Sequence, residues 1–405
     1  MIGSISGQIK AKAARLDPSN YGRSDTSAVG RWFWEIDKVL LLLIATLIGI
    51  GLIAVAAASP AAGERYSGGS VRFSELHYFY RQIVWIGVGV PVMIAISMMP
   101  RERAKRISLA GAAFFFVMLI FVPVLGPEVN GATRWIDIGI GQLQPSEFLK
   151  PFFVVAMAWL LSLREQDKSL PVFALSAVLV ALVSALLMKQ PDFGSTIIFC
   201  SVWIAMLALA GVSLRILGFL ALAAVVGVIL AYFFYPVATT RIDGFLFGEG
   251  DNFQVENAMR TLTAGGMFGM GPGAGTRKFG LPEPHTDYIF SVIGEEFGLI
   301  ACLAIAILYL TIVARVLIKL LDEDNSFALL AAAGLVIEFG LQALINMMVN
   351  VQLAPSKGMT LPFISYGGSS MIALSLGMGL LLAFTRRNPF LAKSPYSSGW
   401  ERKPS

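Results

Sequence analysis

The chain has 405 residues, 56% of them hydrophobic and only 14% charged, against about 25% charged in soluble domains. That composition excludes a soluble globular fold. The net charge of +5 does not mark a nucleic-acid binder either, because the basic residues stand between apolar runs rather than on one face.

Residues 1–37 form a polar, basic N-terminal tail with no cleavable signal, and the stretch Met1 to Arg31 reads as disordered. Runs of the roughly 20 apolar residues that an α-helix needs to cross hydrocarbon then recur along the chain. They lie near Val39 to Ser59, His77 to Met98, Ile107 to Leu125, Glu147 to Leu163 and Pro171 to Met188, then Phe193 to Gly211, Leu214 to Tyr235, Tyr288 to Val316, Phe327 to Asn350 and Phe363 to Thr385. The expected fold is thus an all-α polytopic membrane protein of about ten transmembrane helices spanning residues 38–386. Cys200 and Cys302 both fall inside apolar runs, so neither a disulfide framework nor a metal spacing is expected. No internal repeat is visible, which argues against an inverted-repeat transporter.

Lys/Arg bias sets the orientation. The basic tail, the Arg101 to Arg106 cluster, Arg164 and Lys168, Arg215, Arg315 and Lys319, and Arg386 and Arg387 all fall on one side when the spans alternate. N-terminus and C-terminus are then both cytoplasmic, and residues 387–405 form a cytoplasmic C-terminal tail. On the other side the loops are short except for Gly126 to Ser146 and Pro236 to Asp287. The second is one long extracytoplasmic loop between helices 7 and 8, rich in Phe and Gly, and is expected to form short helices in the interface plane.

Chemistry-bearing residues gather at the end of that loop, in Leu281-Pro-Glu-Pro-His-Thr-Asp-Tyr-Ile-Phe290. Glu283, His285 and Asp287 sit where water meets lipid. Asp287 reads equally as a cap of the following helix and as a general base whose pKa partial desolvation would raise. Upstream, Gly269 to Lys278 is not a P-loop, lacking the strand and the Gly-Lys-Ser/Thr ending, and reads as a flexible turn from which Arg277 and Lys278 reach an anionic head group. Ionisable residues in or beside the spans are Arg81, Glu147, Lys150, Lys189, Asp192, Glu295, Glu296, Glu338 and Lys357. Glu147 and Lys150 are one turn apart and suited to pair. Lys189, Asp192 and Lys357 suit one outer cavity with Asp287, where a Lys/Arg cluster would meet a pyrophosphate, although each lysine reads as well as a snorkelling side chain. Glu338 in mid-span reads as part of a proton or ion pathway. With only His77 and His285, and no Gly-x-Ser-x-Gly, metalloprotease and serine hydrolase chemistry are poor fits.

Three segments together resemble the SEDS (FtsW/RodA) family of cell-wall proteins. They are Asn130-Gly-Ala-Thr-Arg-Trp-Ile136 through Gln144-Pro-Ser-Glu-Phe-Leu-Lys150; Pro282-Glu-Pro-His-Thr-Asp-Tyr-Ile-Phe290 with Gly294-Glu-Glu-Phe-Gly298; and Lys357-Gly-Met-Thr-Leu-Pro-Phe-Ile-Ser-Tyr-Gly-Gly-Ser-Ser370. The Ser-Lys-Gly-Met-Thr stretch is closer to the division branch than to the elongation branch. Phe193, Pro284 and Val351 to Ala354 depart from the family's usual residues without removing a candidate polar group.

The resemblance implies a peptidoglycan glycosyltransferase that polymerises lipid II, an undecaprenyl-pyrophosphate-linked disaccharide-peptide, on the periplasmic face of a bacterial inner membrane at the division septum. It implies inverting transfer with Asp287 as base, and a substrate site drawn from Arg134, Lys150, Lys189, Asp192, Glu283, His285, Lys357 and Ser369. It further implies a divalent cation (Mg or Mn) and no organic cofactor. The implied partners are a class B penicillin-binding protein (FtsI-like), other divisome proteins and membrane lipids, with no nucleic acid. A lipid II flippase and a non-catalytic divisome scaffold are the competing readings.

Overall fold

The computed structural model describes residues 27–67, 72–128, 133–137, 139, 141–247, 252–355 and 358–386. The expectations for Lys357 and for the tail residues 1–26 and 387–405 therefore lie outside the described residues. The chain begins with a short helix α1 (Ala28–Glu35), whose first turn is capped by the Ser27 hydroxyl accepting from the Gly30 amide at 3.0 Å. That corrects the expectation of disorder up to Arg31, since a capping serine followed by Trp32, Phe33 and Trp34 gives an amphipathic turn.

The spans follow as α2 (Lys38–Tyr66), α3 (His77–Ser97), α4 (Arg101–Leu125), α5 (Pro145–Gln166), α6 (Val172–Lys189), α7 (Phe193–Leu209) and α8 (Leu214–Phe234). After the long loop come α11 (Ile289–Leu320), α12 (Ser326–Asn350) and α13 (Gly368–Thr385). Among the described residues nine of these are long and apolar enough to cross a membrane, and α7 is a shorter apolar helix, so all ten expected spans are helical. Local chemistry fixes their starts: Asp37, Asp192 and Asn325 cap α2, α7 and α12 by accepting from the amides of Leu40, Ser195 and Ala328, and Pro145 opens α5.

Packing sorts the spans into a centre and a rim. α5, α12 and α13 are largely buried, with α13 lying against α3 and α12 against α5, whereas α8 buries no side chain. In lipid, close packing and polar contacts hold helices together rather than the hydrophobic effect. One end of the bundle is tied by charge: Asp37 accepts from Arg315 at 2.8 Å and Lys319 at 3.3 Å, Glu323 from Arg101, and Glu35 from Arg386. These belong to the clusters that the charge bias assigns to the cytoplasm.

At the opposite end, the long loop is built as expected from short helices, α9 (Pro236–Phe247) and α10 (Asn252–Ala264), followed by a 3-10 turn (Arg277–Gly280). The first outer loop adds something composition did not announce, a small antiparallel hairpin of β1 (Ile136–Asp137) and β2 (Gln142–Leu143), with Ile136 opposite Leu143.

Gly269 to Lys278 is not the free turn the sequence suggests. α11 is broken at Gly298 (φ 84°, ψ 176°), and the loop completes the backbone bonding there: Met270 and Gly271 donate to the Glu295 and Glu296 carbonyls, while Leu299 donates to that of Gly266. A side chain on Gly298 would meet the Met267 carbonyl oxygen at 2.4 Å, so this approach needs glycine. The Glu295 carboxylate accepts from the amides of Arg277 (2.6 Å) and Lys278 (3.0 Å), and that of Glu296 from Gly273 (2.7 Å). Lys278 is 1% exposed, paired with Glu296 and donating to the Ala57 carbonyl at 2.8 Å, so it does not reach a head group. An unpaired ammonium is too costly there, and the adjacent carboxylate captures it.

Candidate functional site

A cavity of about 1190 Å³ opens at this outer end, between the helix ends, the hairpin loop and α9. Asp287 lies in its wall, two residues before α11, and its backbone is held from below. Asn346 and Asn350, one turn apart on α12, donate to the Asp287 carbonyl at 2.9 and 3.0 Å. Asn350 also accepts from the Ser291 amide (3.1 Å) and hydroxyl (2.7 Å), which locks the first turn of α11. The residue thus ends a clamped segment, fixed at Lys278 by Glu295 and Glu296 and at Asp287 by the two asparagines.

The Asp287 carboxylate faces the cavity. Burial first, and the nearby Glu283 second, push its pKa up from the ordinary carboxylate value to about 7, with Arg134 and Arg241 opposing. A methyl group on Gly358 would stand 3.5 Å from Asp287 Oδ2 and 3.8 Å from Arg134 Nη1, so acid and cation border the same space. Arg134 is aimed by the turn between α6 and α7: its Nε donates to the Gln190 carbonyl at 3.2 Å and its Nη2 to that of Pro191. Arg241 reaches in from α9.

Glu283 lines the cavity with its carboxylate engaged, accepting from the Tyr66 hydroxyl and from the Thr286 hydroxyl, each at 2.7 Å. Ser369 also lines it, in the first turn of α13. Four other expected residues are placed elsewhere. His285 is 4% exposed among Tyr66, Tyr78 and Tyr366, with ring centroids 4.2 Å from Tyr78, and burial pushes its imidazole down to about 3, leaving it neutral. Lys150 lies beneath the floor, 3% exposed, donating to Glu147 at 2.9 Å and Gln342 at 3.1 Å; the anticipated pair with Glu147 forms, and Glu147 itself lines the cavity. Asp192 caps α7 through one carboxylate oxygen and also acts electrostatically on Arg241 and Lys150, and Lys189 is exposed at the end of α6; their shared turn further serves the site through the carbonyls that orient Arg134.

Glu338 continues a buried polar strip down α12, one turn below Gln342 and two below Asn346. The voids beside it measure about 10 and 20 Å³, each room for about one water. Sequence reasoning passed over Arg65, Tyr66, Trp85 and Arg241, which line the cavity, and the asparagines that hold Asp287. The amide strip was visible as polar residues every fourth position from Glu338 to Asn350 in an apolar span, whereas the arginines carry no motif.

Among the described residues no three His, Cys, Asp or Glu side chains come together as a metal site. What the arrangement offers is one carboxylate near neutral pKa, flanked by guanidinium groups suited to phosphate.

Comparison with known proteins follows the same lines. The family model for FtsW, RodA and SpoVE, described as Cell cycle protein, matches residues 38–389. The chain is 36% identical over 375 residues to the probable peptidoglycan glycosyltransferase FtsW of Caulobacter vibrioides, covering 91% of this chain and 94% of that one. It is 37% identical over 366 residues to its counterpart in a Thioalkalivibrio species, covering 87% and 90%. Among solved structures it is similar to the rod shape determining protein RodA of Thermus thermophilus, with TM-score 0.63, 27% identity, and 86% and 96% of the two chains covered. It is also similar to a chain of a peptidoglycan synthase complex that coordinates polymerization and crosslinking, with TM-score 0.70, 27% identity, and 86% and 97% covered.

Proposed function

The chain belongs to the FtsW/RodA/SpoVE family of cell cycle proteins, and on that premise we propose that it is a multi-pass peptidoglycan glycosyltransferase that polymerises lipid II at the outer face of a bacterial inner membrane during division. The observation that carries the reaction is the Asp287 carboxylate, raised to about 7 and bordered by Arg134 and Arg241 in the outer cavity.

In the proposed step the 4-hydroxyl of one lipid II attacks the anomeric carbon of the lipid-linked end of the growing glycan. Asp287 takes the hydroxyl proton as the new glycosidic bond forms, and the bond to the prenyl pyrophosphate breaks with its electron pair on the leaving oxygen. An α-linked pyrophosphate becoming a β-linked glycan requires one displacement with inversion, hence one base and one device for the leaving charge. Arg134 and Arg241 supply that device. A base with a pKa near the working pH is efficient because a substantial fraction is ionised and it is still basic enough to accept the proton. Glu283, tied to Tyr66 and Thr286, keeps the carboxylate's pKa high and shapes the wall.

Among the described residues no three His, Cys, Asp or Glu side chains converge, but a magnesium or manganese ion is commonly held by one or two carboxylates together with substrate phosphates. Asp287, with Glu283 beside it, would be the residues to hold one, which would supply neutralisation of the leaving pyrophosphate. The proposed partner is a class B penicillin-binding protein, supported by the similar chain's place in a complex of polymerization and crosslinking. Lipid II polymerisation by the purified protein with that partner in detergent, where no sidedness exists, tests the reading. Glycan formed there supports a polymerase, and none formed while lipid II crosses vesicle membranes supports a flippase instead.

A further inference from the structure

The outer cavity carries more positive charge than one leaving pyrophosphate uses. Arg134 and Arg241 act on Asp287, but Arg65, at the end of α2, and Arg81, in the second turn of α3, line the same cavity and act on a different set of neighbours. Arg65 adjoins Tyr66, while Arg81 faces His77, Tyr78 and Tyr366. Neither has an ion-pair partner among the described residues. The Glu283 carboxylate acts on the same Tyr66 and Tyr78 but is engaged by the Tyr66 and Thr286 hydroxyls, and two guanidinium groups outside any ion pair, in a cavity walled by aromatic rings, are suited to an anion.

Trp85 follows Arg81 by one helical turn on the same face of α3 and also lines the cavity. Its indole lies close against Gly368, where a methyl group would stand 2.8 Å from ring carbon Cε2. It also interacts with the Tyr366 side chain. A flat, rigidly backed ring beside a cation suits a sugar with a phosphate attached, because the ring packs on the C–H face of the sugar while the cation takes the charge.

We propose that Arg65, Arg81 and Trp85 form a second subsite, which holds the acceptor: a lipid-linked disaccharide with its pyrophosphate on the two arginines and a sugar ring on Trp85. This rests on the glycosyltransferase reading and adds to it which cations take which phosphate. In the donor, the pyrophosphate is bonded to the carbon under attack, so it lies close to the base. In the acceptor, the attacking hydroxyl is at the far end of the disaccharide from its own pyrophosphate, two sugar rings away. The arginines beside Asp287 therefore serve the donor, and the separate pair serves the acceptor.

Native mass spectrometry of the full-length protein with undecaprenyl pyrophosphate tests this without turnover. The wild type binds two molecules, the Arg65→Gln/Arg81→Gln double variant binds one, and the Arg134→Gln/Arg241→Gln double variant binds one. In polymerisation, Trp85→Leu raises the lipid II KM at least about tenfold with a much smaller change in kcat, and Trp85→Phe restores most of the loss. A wild type that makes glycan but binds one pyrophosphate, an Arg65/Arg81 variant that still binds two, or an unchanged KM in Trp85→Leu overturns the subsite. A wild type that binds two yet makes no glycan in detergent overturns the enzyme reading and takes the acceptor assignment with it.

Discussion

Asn350→Leu probes the mechanical support of the proposed base without touching its charges. Asn350 is fully buried and donates to the carbonyls of Asp287 (3.0 Å) and Asn346 (2.9 Å), while its own oxygen accepts from both the amide and the hydroxyl of Ser291. Leucine keeps the branched shape and removes these four bonds, together with a longer one from the Asn350 side-chain amide to Asn346 Oδ1 (3.4 Å). Buried hydrogen bonds between membrane helices contribute roughly 0.6–2 kcal/mol each, and with three of the four running from α12 to the Asp287–Ser291 segment the loss is about 2–4 kcal/mol. Asn346 keeps one bond to the Asp287 carbonyl, so the residue shifts rather than leaves. A displacement on the order of 1 Å costs about 100-fold in rate, and kcat is expected to fall between roughly 10- and 100-fold. The assay is lipid II polymerisation with the partner, read as kcat and KM separately over pH, beside a thermal melt. KM should change little, and the acid limb of the pH profile should stay near 7, because Glu283, Arg134 and Arg241 are untouched. Wild-type kcat in a folded Asn350→Leu protein would refute the claim that this amide positions Asp287.

Further outcomes follow from the same geometry. Activity should rise with pH through about 7 as Asp287 loses its proton, since a base must be ionised to act. Glu283→Gln removes the like charge that raises this pKa and keeps the side chain's shape; the acid limb should move to lower pH by on the order of one unit, and an unmoved limb would remove Glu283 from the site's electrostatics. Thr276 is exposed in the glycine-rich loop at the outer end, so Thr276→Cys should react with an impermeant maleimide on intact cells with an opened outer membrane, over a low background from part-buried Cys200 and buried Cys302. Labelling only after lysis would invert the topology.

The membrane architecture was readable because apolar length alone dictates a spanning helix: all ten runs fold as helices, and among the described residues nine are long and apolar enough to cross a membrane. Boundaries at Asp37, Asp192 and Asn325 were equally local, set by side chains that cap their own helices. The break at Gly298 was not readable, since it depends on Gly266 to Gly271 lying alongside Glu295 to Ile300, a pairing no local pattern specifies. At the site, Asp287, Glu283, Arg134 and Ser369 were found in motifs, and all four line the cavity. His285 and Lys150 share those motifs but serve packing and pairing, because an aromatic nest and a carboxylate one turn away meet their needs first. Arg241 and Arg65 escaped notice because a single arginine beside a span ordinarily marks topology; only the closure of α2 and α9 around the outer end turns them inward.

In the proposed reaction Asp287 performs the chemistry. The direct measurement is glycan synthesis from lipid II by purified Asp287→Ala with the proposed class B penicillin-binding protein partner, beside expression and partner co-purification. No polymer is expected, with expression and partner binding intact. Glycan at the wild-type rate from that variant would contradict that role.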